Sequence, residues 1–288
     1  MSPVPLWPGD GEPFPFPNRQ SLFYDPHTGE YVVHYVAGEA SVEPVLVRFG
    51  THSLVDPEVG FDLVPTASGY QYMYDVRNGL YAKQSIEKIR MLASADGTPR
   101  SSNPGWTTRT EAAKVPDAAA HIADSVNLEW RSSIPTQSIA PGTKMEGLVI
   151  DSTSLPGFTA MICSGHTQSK EYSADAVSYL PIDLRDQLAR VFTTTWDAKT
   201  RIVIGPKFVK GTSQTEIAQN YLFGIKALIR TGKLDRDSTF TNGVVKLLSA
   251  QVDSGGLFFL DSNAFGSSEN AAPGLETVIA HALQYAFK

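Results

Sequence analysis

The chain has 288 residues, 42% of them hydrophobic and 19% charged, with a formal net charge of −6. That length and apolar content can build a substantial core, while the acidic balance and the lack of any Lys/Arg cluster exclude nucleic acid and anionic membrane as expected partners. Cys163 is the only cysteine, which rules out an intrachain disulfide and a Cys-based zinc site, and no run of about eighteen apolar residues predicts a transmembrane helix.

Residues 1–20 form a Pro-rich arm, with Pro3, Pro5, Pro8, Pro13, Pro15 and Pro17 around Trp7, Phe14 and Phe16. Proline fixes φ and removes donors, so the arm is extended. One reading is a surface-draped leader. The other is an assembly arm, in which Trp7, Phe14 and Phe16 dock on a neighbouring subunit or on the protein's own body.

Asp25-Pro26-His27-Thr28-Gly29 predicts a turn. Tyr31–Val36 and Val45–Phe49 are rich in the β-branched and aromatic residues that strands favour. Asp56–Gly60 reads as a further turn before a strand at Phe61–Val64. In Gly69–Gly79, Tyr70, Tyr72, Tyr74 and Val76 alternate with mostly polar neighbours, the period of a strand with one buried face. Asn78-Gly79 then predicts a tight hairpin into Lys83–Met91.

Residues 94–125 read as an irregular excursion with a short helix from Asp117, since Asp96–Pro99 and Asn103–Gly105 are breakers. Strands return at Val126–Arg131 and Leu148–Ile150. Turns at Ile139–Thr143 and Leu155–Gly157 flank the latter, and the second leads into Phe158–Cys163. A short helix at 180–191 presents Leu184, Leu188 and Val191 on one face, with Asp183 as a capping candidate, and Thr200–Pro206 is a last strand. From Thr212 the period becomes helical. Thr212 or Ser213 caps a first helix that Gly232 ends, Ser238 caps a second, and a third runs from Pro273 to Phe287. These three form a small bundle or a cap on the sheets.

Cys163-Ser164-Gly165-His166 is the nearest approach to a nucleophile with a base, but neighbours on a strand end need not face each other. A core cysteine followed by a loop histidine is the simpler reading. No phosphate loop, dinucleotide fingerprint, nucleophile elbow or His-Glu-x-x-His helix occurs. The six histidines lack metal-ligand spacing, and His34 reads as a sheet-surface residue. Asp56, Glu58 and Asp62, or Asp25 with Glu30, are the candidates for calcium, although turns need Asp for backbone reasons alone; no cofactor is expected. Tyr70, Tyr72 and Tyr74 would be a carbohydrate platform if they faced solvent, but a period-two aromatic row more often faces the core. Trp106 and Trp130 read as packing anchors.

Ile139-Ala140-Pro141-Gly142-Thr143 through Leu155-Pro156-Gly157-Phe158 resembles bacterial extracellular Ig-like β-sandwich modules. Asp56–Asp62 and the tyrosine strand fit the same pattern. Leu228–Leu234 with Leu247–Ala250 is similar to helical hairpins near the C-termini of some bacterial surface proteins. The resemblance implies an antiparallel Ig-like β-sandwich over 21–208, a three-helix C-terminal unit over 212–288, and an extracellular or cell-surface location with any leader removed. It carries no catalytic or ligand-binding residue. The expected function is a non-enzymatic structural or adhesion protein that self-assembles through its arm and sheet edges. The alternatives are a module binding carbohydrate or another surface ligand, and a hydrolase built from loop carboxylates.

Overall fold

The computed structural model describes residues 5, 7, 9, 20–25, 30–36, 44–50, 54–112, 125–165, 180–195, 198–254 and 274–287. It is mainly β with α: an antiparallel β-sandwich followed by helices. Strands β1 (Ser21–Asp25), β2 (Glu30–Val36) and β3 (Pro44–Gly50) form a three-stranded antiparallel meander of their own. The sandwich begins only at β4 (Pro57–Thr66). Its four-stranded sheet has the order β4, β5 (Gly69–Asn78), β10 (Lys144–Ser152), β7 (Thr98–Ser101). Its five-stranded sheet has the order β12 (Ala198–Phe208), β11 (Leu155–Gly165), β6 (Ile86–Ser94), β9 (Ser125–Ser132), β8 (Trp106–Ala112).

Between the two sheets lie Tyr72, Tyr74, Val76, Ile89, Met91, Leu128, Trp130, Leu148, Ile150 and Met161, all buried. The alternation read in β5 is therefore the core-facing row. Burying a phenol leaves a hydroxyl to satisfy. Tyr72 donates to the Ser154 carbonyl at 2.7 Å and Tyr74 to the Ile204 carbonyl at 2.9 Å. Trp130 and Trp106 anchor in the same way, their indole N–H groups donating to the carbonyls of Arg100 and Gln137.

The Asn-Gly hairpin does not form. β5 and β6 lie in different sheets, and the partner of β5 in a hairpin is β4, paired from Pro57↔Asn78 to Thr66↔Gly69. The reason is the Asn78 side chain, fully buried at the corner. It accepts from the Asp56 N–H at 2.9 Å and donates to the carbonyls of Gln84 at 2.7 Å and Ile139 at 3.1 Å. Three backbone groups from separate segments thus hold the amide, and a local turn cannot offer as much. The expected turn at Asp56–Gly60 is largely the start of β4, and Leu155–Gly157 is the start of β11. Within 94–125 the described residues form β7 and β8 rather than an irregular excursion, and the helix expected from Asp117 lies outside them. The turn at Pro141-Gly142 forms as read, with Gly142 at φ 79° and the Thr143 N–H bonded to the Ala140 carbonyl.

A second side-chain knot sits where β6 turns into β7. The Asp96 carboxylate accepts from the hydroxyls of Ser94, Ser152, Ser154 and Thr153 and from the Thr153 N–H, at 2.6–2.8 Å. It therefore ties that turn to the β10–β11 turn. Desolvation pushes its pKa up, but the hydrogen bonds from Thr153, Ser94, Ser152 and Ser154 outweigh it and hold the carboxyl well below the usual range.

The helices pack on the sheets. α1 (Ile182–Thr195) buries Leu184 and Leu188, and with Leu180 these cover one face of the meander, against Leu22, Tyr24, Tyr31, Val33 and Tyr35. Asp183 lies inside its first turn, and the side chain of Val191 lies outside the described ones. α2 (Gln214–Arg230) is capped by Ser213, which accepts from the Glu216 N–H, and Gly232 follows it at φ 65°. α3 (Thr239–Asp253) is capped by Ser238, and α4 (Leu275–Ala286) starts after Gly274. α2 packs on α3, and both α2 and α4 pack on β11 and β12. Ile217, Tyr221, Leu248, Ile279 and Leu283 belong to the same apolar cluster as the strands, so the three helices cap the sandwich.

Asn220 shows how α2 is seated. β11 pairs with β6 only from Met161 onward, which leaves the Phe158 backbone without a neighbour on that side. The Asn220 amide takes the strand's place, accepting from the Phe158 N–H at 2.7 Å and donating to its carbonyl at 3.0 Å. Gly224 lets the helix approach, since a methyl there would overlap the Phe158 ring.

Replacing Asn78 by leucine strands the Asp56 N–H and the Gln84 carbonyl at the corner. The expected loss is about 2–4 kcal/mol of stability with an unchanged denaturant slope, read by urea unfolding. Because the Asp96 pKa is depressed on folding, its contribution is complete above the unfolded value of about 4 and fades as pH falls toward the folded one. The stability gap between wild type and Asp96→Asn is therefore widest near neutral pH and narrows below about pH 4, measurable by unfolding at stepped pH.

Candidate functional site

Among the described residues, those considered for chemistry are dispersed over separate strands. Cys163 is fully buried on the core side of β11, where burial, against a smaller opposing effect of Arg201, pushes its thiol up to about 12. His166 lies outside the described residues. His34 is not on the surface as expected: it is buried in β2, and desolvation lowers its pKa.

Three of the calcium candidates, Asp25, Glu30 and Asp56, face the protein's own cations. Asp25 and Glu30 converge on one guanidinium nitrogen of Arg48, at 2.7 and 3.4 Å, and Asp56 lies 3.4 Å from Arg201. Glu58 and Asp62 stand exposed on β4. Among the described residues no group of three or more His, Cys, Asp or Glu side chains is placed to hold a metal ion.

Trp7 is only 4% exposed. Its N–H donates to the Tyr24 carbonyl at 2.8 Å, the Tyr24 N–H donates to the Pro5 carbonyl at 2.8 Å, and Arg230 donates to the Trp7 carbonyl. The indole meets Phe23 edge-on at 5.6 Å and packs with Val32, covering the meander face that α1 does not. Arg48 lies over its ring at 5.9 Å. Pro5 and Trp7 are thus hydrogen-bonded to β1, and Trp7 is docked on its own chain. Phe14 and Phe16 lie outside the described residues.

Two surfaces stand out among the described residues. One is β8, the terminal strand of the five-stranded sheet. After the buried Trp106, every residue from Thr107 to Ala112 is exposed, so both faces of the strand are open. Arg109 and Glu111 share one of these faces and lie 2.9 Å apart. Neither the alternation of a half-buried strand nor an apolar run marks this segment, which is why sequence reasoning passed over it; its three threonines are the only strand-forming cue. The other surface is the loop end of the sandwich, where Leu80 and Tyr81 are 70% and 87% exposed and Leu54 is 55% exposed. Leu80 lies against Gly142, and the Lys83 N–H donates to the Leu54 carbonyl, which brings the three apolar side chains to one end.

No protein-family model matches the chain, and no curated protein sequence matches it. Among solved structures it is similar to a cohesin module from the family 33 glycoside hydrolase of Clostridium perfringens ATCC13124, at 8% identity and TM-score 0.28 over 54% of this chain and 98% of that one. It is also similar to an uncharacterized Nocardia farcinica protein with an immunoglobulin-like fold, at 14% identity and TM-score 0.26 over 40% and 88% of the two chains. No helix among the described residues is long and apolar enough to cross a membrane.

With Cys163 shielded in the core, a thiol reagent such as Ellman's reagent is expected to react with the native protein no faster than the protein unfolds, and stoichiometrically in denaturant. Prompt reaction in native buffer would place the sulfur outside the core.

Proposed function

We propose that this protein is a non-enzymatic structural or adhesion module of the cell exterior that joins to other copies through the edges of its sheets. The observation that carries this reading is β8, a seven-residue terminal strand with Thr107–Ala112 exposed. An open edge offers a row of backbone donors and acceptors, the means by which sheets join. The aromatic residues support the reading from the other side. Trp7, Tyr72, Tyr74 and Trp130 are spent on the interior, so the body serves as a rigid support for contact.

The loop end favours a second reading, a module that binds carbohydrate or another surface ligand. Its basis is Tyr81, the most exposed aromatic side chain among the described residues, beside Leu80 and Leu54.

Light scattering of the purified chain over a concentration series, with electron microscopy of the same samples, tests the first reading. The expected result is a mass above that of the 31.3 kDa chain that rises with concentration. A strictly monomeric chain at all concentrations overturns self-assembly and leaves the ligand-binding reading.

A further inference from the structure

The proposed function leaves open which edge joins and to what. We propose that β8 pairs antiparallel with β8 of a second copy about a two-fold axis through Thr110, making the five-stranded sheet continuous through both copies. This inference rests on the self-assembly reading and names its interface.

The phase of the backbone comes first. The Ser133 N–H donates to the Gly105 carbonyl, whereas the Trp106 N–H turns back to the Asn103 carbonyl. Hydrogen-bonding direction alternates along an antiparallel strand, so the odd-numbered residues of β8 address β9. The backbone groups of Thr108, Thr110 and Ala112 then point outward. With Thr110 on the axis, Thr110 faces its own copy and Thr108 faces Ala112, so every outward group in this stretch finds a partner.

Charge then selects the register. A two-fold axis perpendicular to a sheet places residues of the same face opposite each other, so alternative registers differ in steps of two residues. In the register centred on Thr110, Arg109 lies opposite Glu111 of the second copy, and Glu111 opposite its Arg109. A step one way sets Arg109 against Arg109, and a step the other way sets Glu111 against Glu111. Like charges directly opposite are destabilising and unlike charges favourable, so only the central register is complementary. On the β9 side Arg109 is already paired in register with Glu129, so acid would flank it on both sides. The axis falls on a β-branched residue suited to strands, and Thr–Thr is a favourable cross-strand pair.

Exposure of both faces of Thr107–Ala112 leaves room for the second strand. A two-fold contact of this kind is closed, giving a dimer rather than a filament. One strand pair buries less surface than a standard stable interface, so the dimer forms with concentration and weakens with salt.

The test uses sedimentation velocity of the full chain over a concentration series, on wild type, Arg109→Glu, Glu111→Arg, the double exchange, and an equimolar mixture of the two single variants. Both side chains are exposed, and far-UV circular dichroism checks that each variant keeps the wild-type fold. Wild type is expected to dimerise, and each single variant to associate at least about tenfold more weakly, since it opposes like charges. The double exchange regains the dimer because the opposed charges remain complementary. The mixture also regains it, as heterodimers of an acidic and a basic β8. Association that ignores the single substitutions, or a mixture that fails to recover, overturns β8 pairing while leaving self-assembly through another edge standing. A wild-type chain monomeric throughout overturns both.

Discussion

A strand that leaves one sheet for the other abandons its ladder, and the backbone groups at the crossing must find partners elsewhere. Buried N–H and C=O groups without partners cost roughly 1–3 kcal/mol each, a large share of a domain's net stability. This chain meets that constraint with polar side chains at three places where a ladder is interrupted. Asn78 serves the passage from β5 to β6, Asp96 fastens the β6–β7 turn to the β10–β11 turn, and Asn220 replaces a missing strand beside Phe158. Each is short, with little rotamer entropy to lose on fixation. Each also bonds to groups distant in sequence, so the three knots specify how the layers sit as well as that they are satisfied.

The aromatic residues obey the same rule from the apolar side. Tyr72, Tyr74 and Tyr221 fill the interior while their hydroxyls reach carbonyls of Ser154, Ile204 and Pro156. Burial raises the pKa of all three phenols, which leaves them as neutral donors. Trp7 does comparable work on the meander. β2 is buried on both faces from Tyr31 to Tyr35, one face by α1 and the other by Trp7 with Phe23. A three-stranded meander has too little apolar area to stand alone, so the helix and the docked Trp7 complete it.

What could be read from the sequence follows from the range of each interaction. Tyr70–Val76 declares a half-buried strand because its period is local, and Ser213, Gly232 and Ser238 mark helix ends because capping spans only a few residues. Asn78-Gly79 misleads for the complementary reason. Its turn propensity is local, but the amide is claimed by Asp56, Gln84 and Ile139, which no window around residue 78 reveals together. Asp25 and Glu30 looked like ligands because their common partner, Arg48, lies on β3, well beyond the turn they flank in sequence. The separation of β1–β3 from the sandwich was equally hidden, since strand-forming composition says nothing about which sheet a strand joins.

The candidate site was the least legible part, and the cause is physical. Core strands carry a periodic pattern because one face meets water and the other does not. β8 is open on both faces, so solvation imposes no alternation on Thr107–Ala112. Charged side chains on an edge ordinarily discourage strand addition, and Arg109 with Glu111 would serve that purpose against an arbitrary strand. Two opposite charges on one face, two residues apart, behave differently toward their own image. A two-fold axis inverts their order, so they repel in displaced registers and attract in the centred one. In the proposed dimer the same pair would guard the edge against foreign strands and admit a copy of itself, so that protection and specificity would follow from a single arrangement.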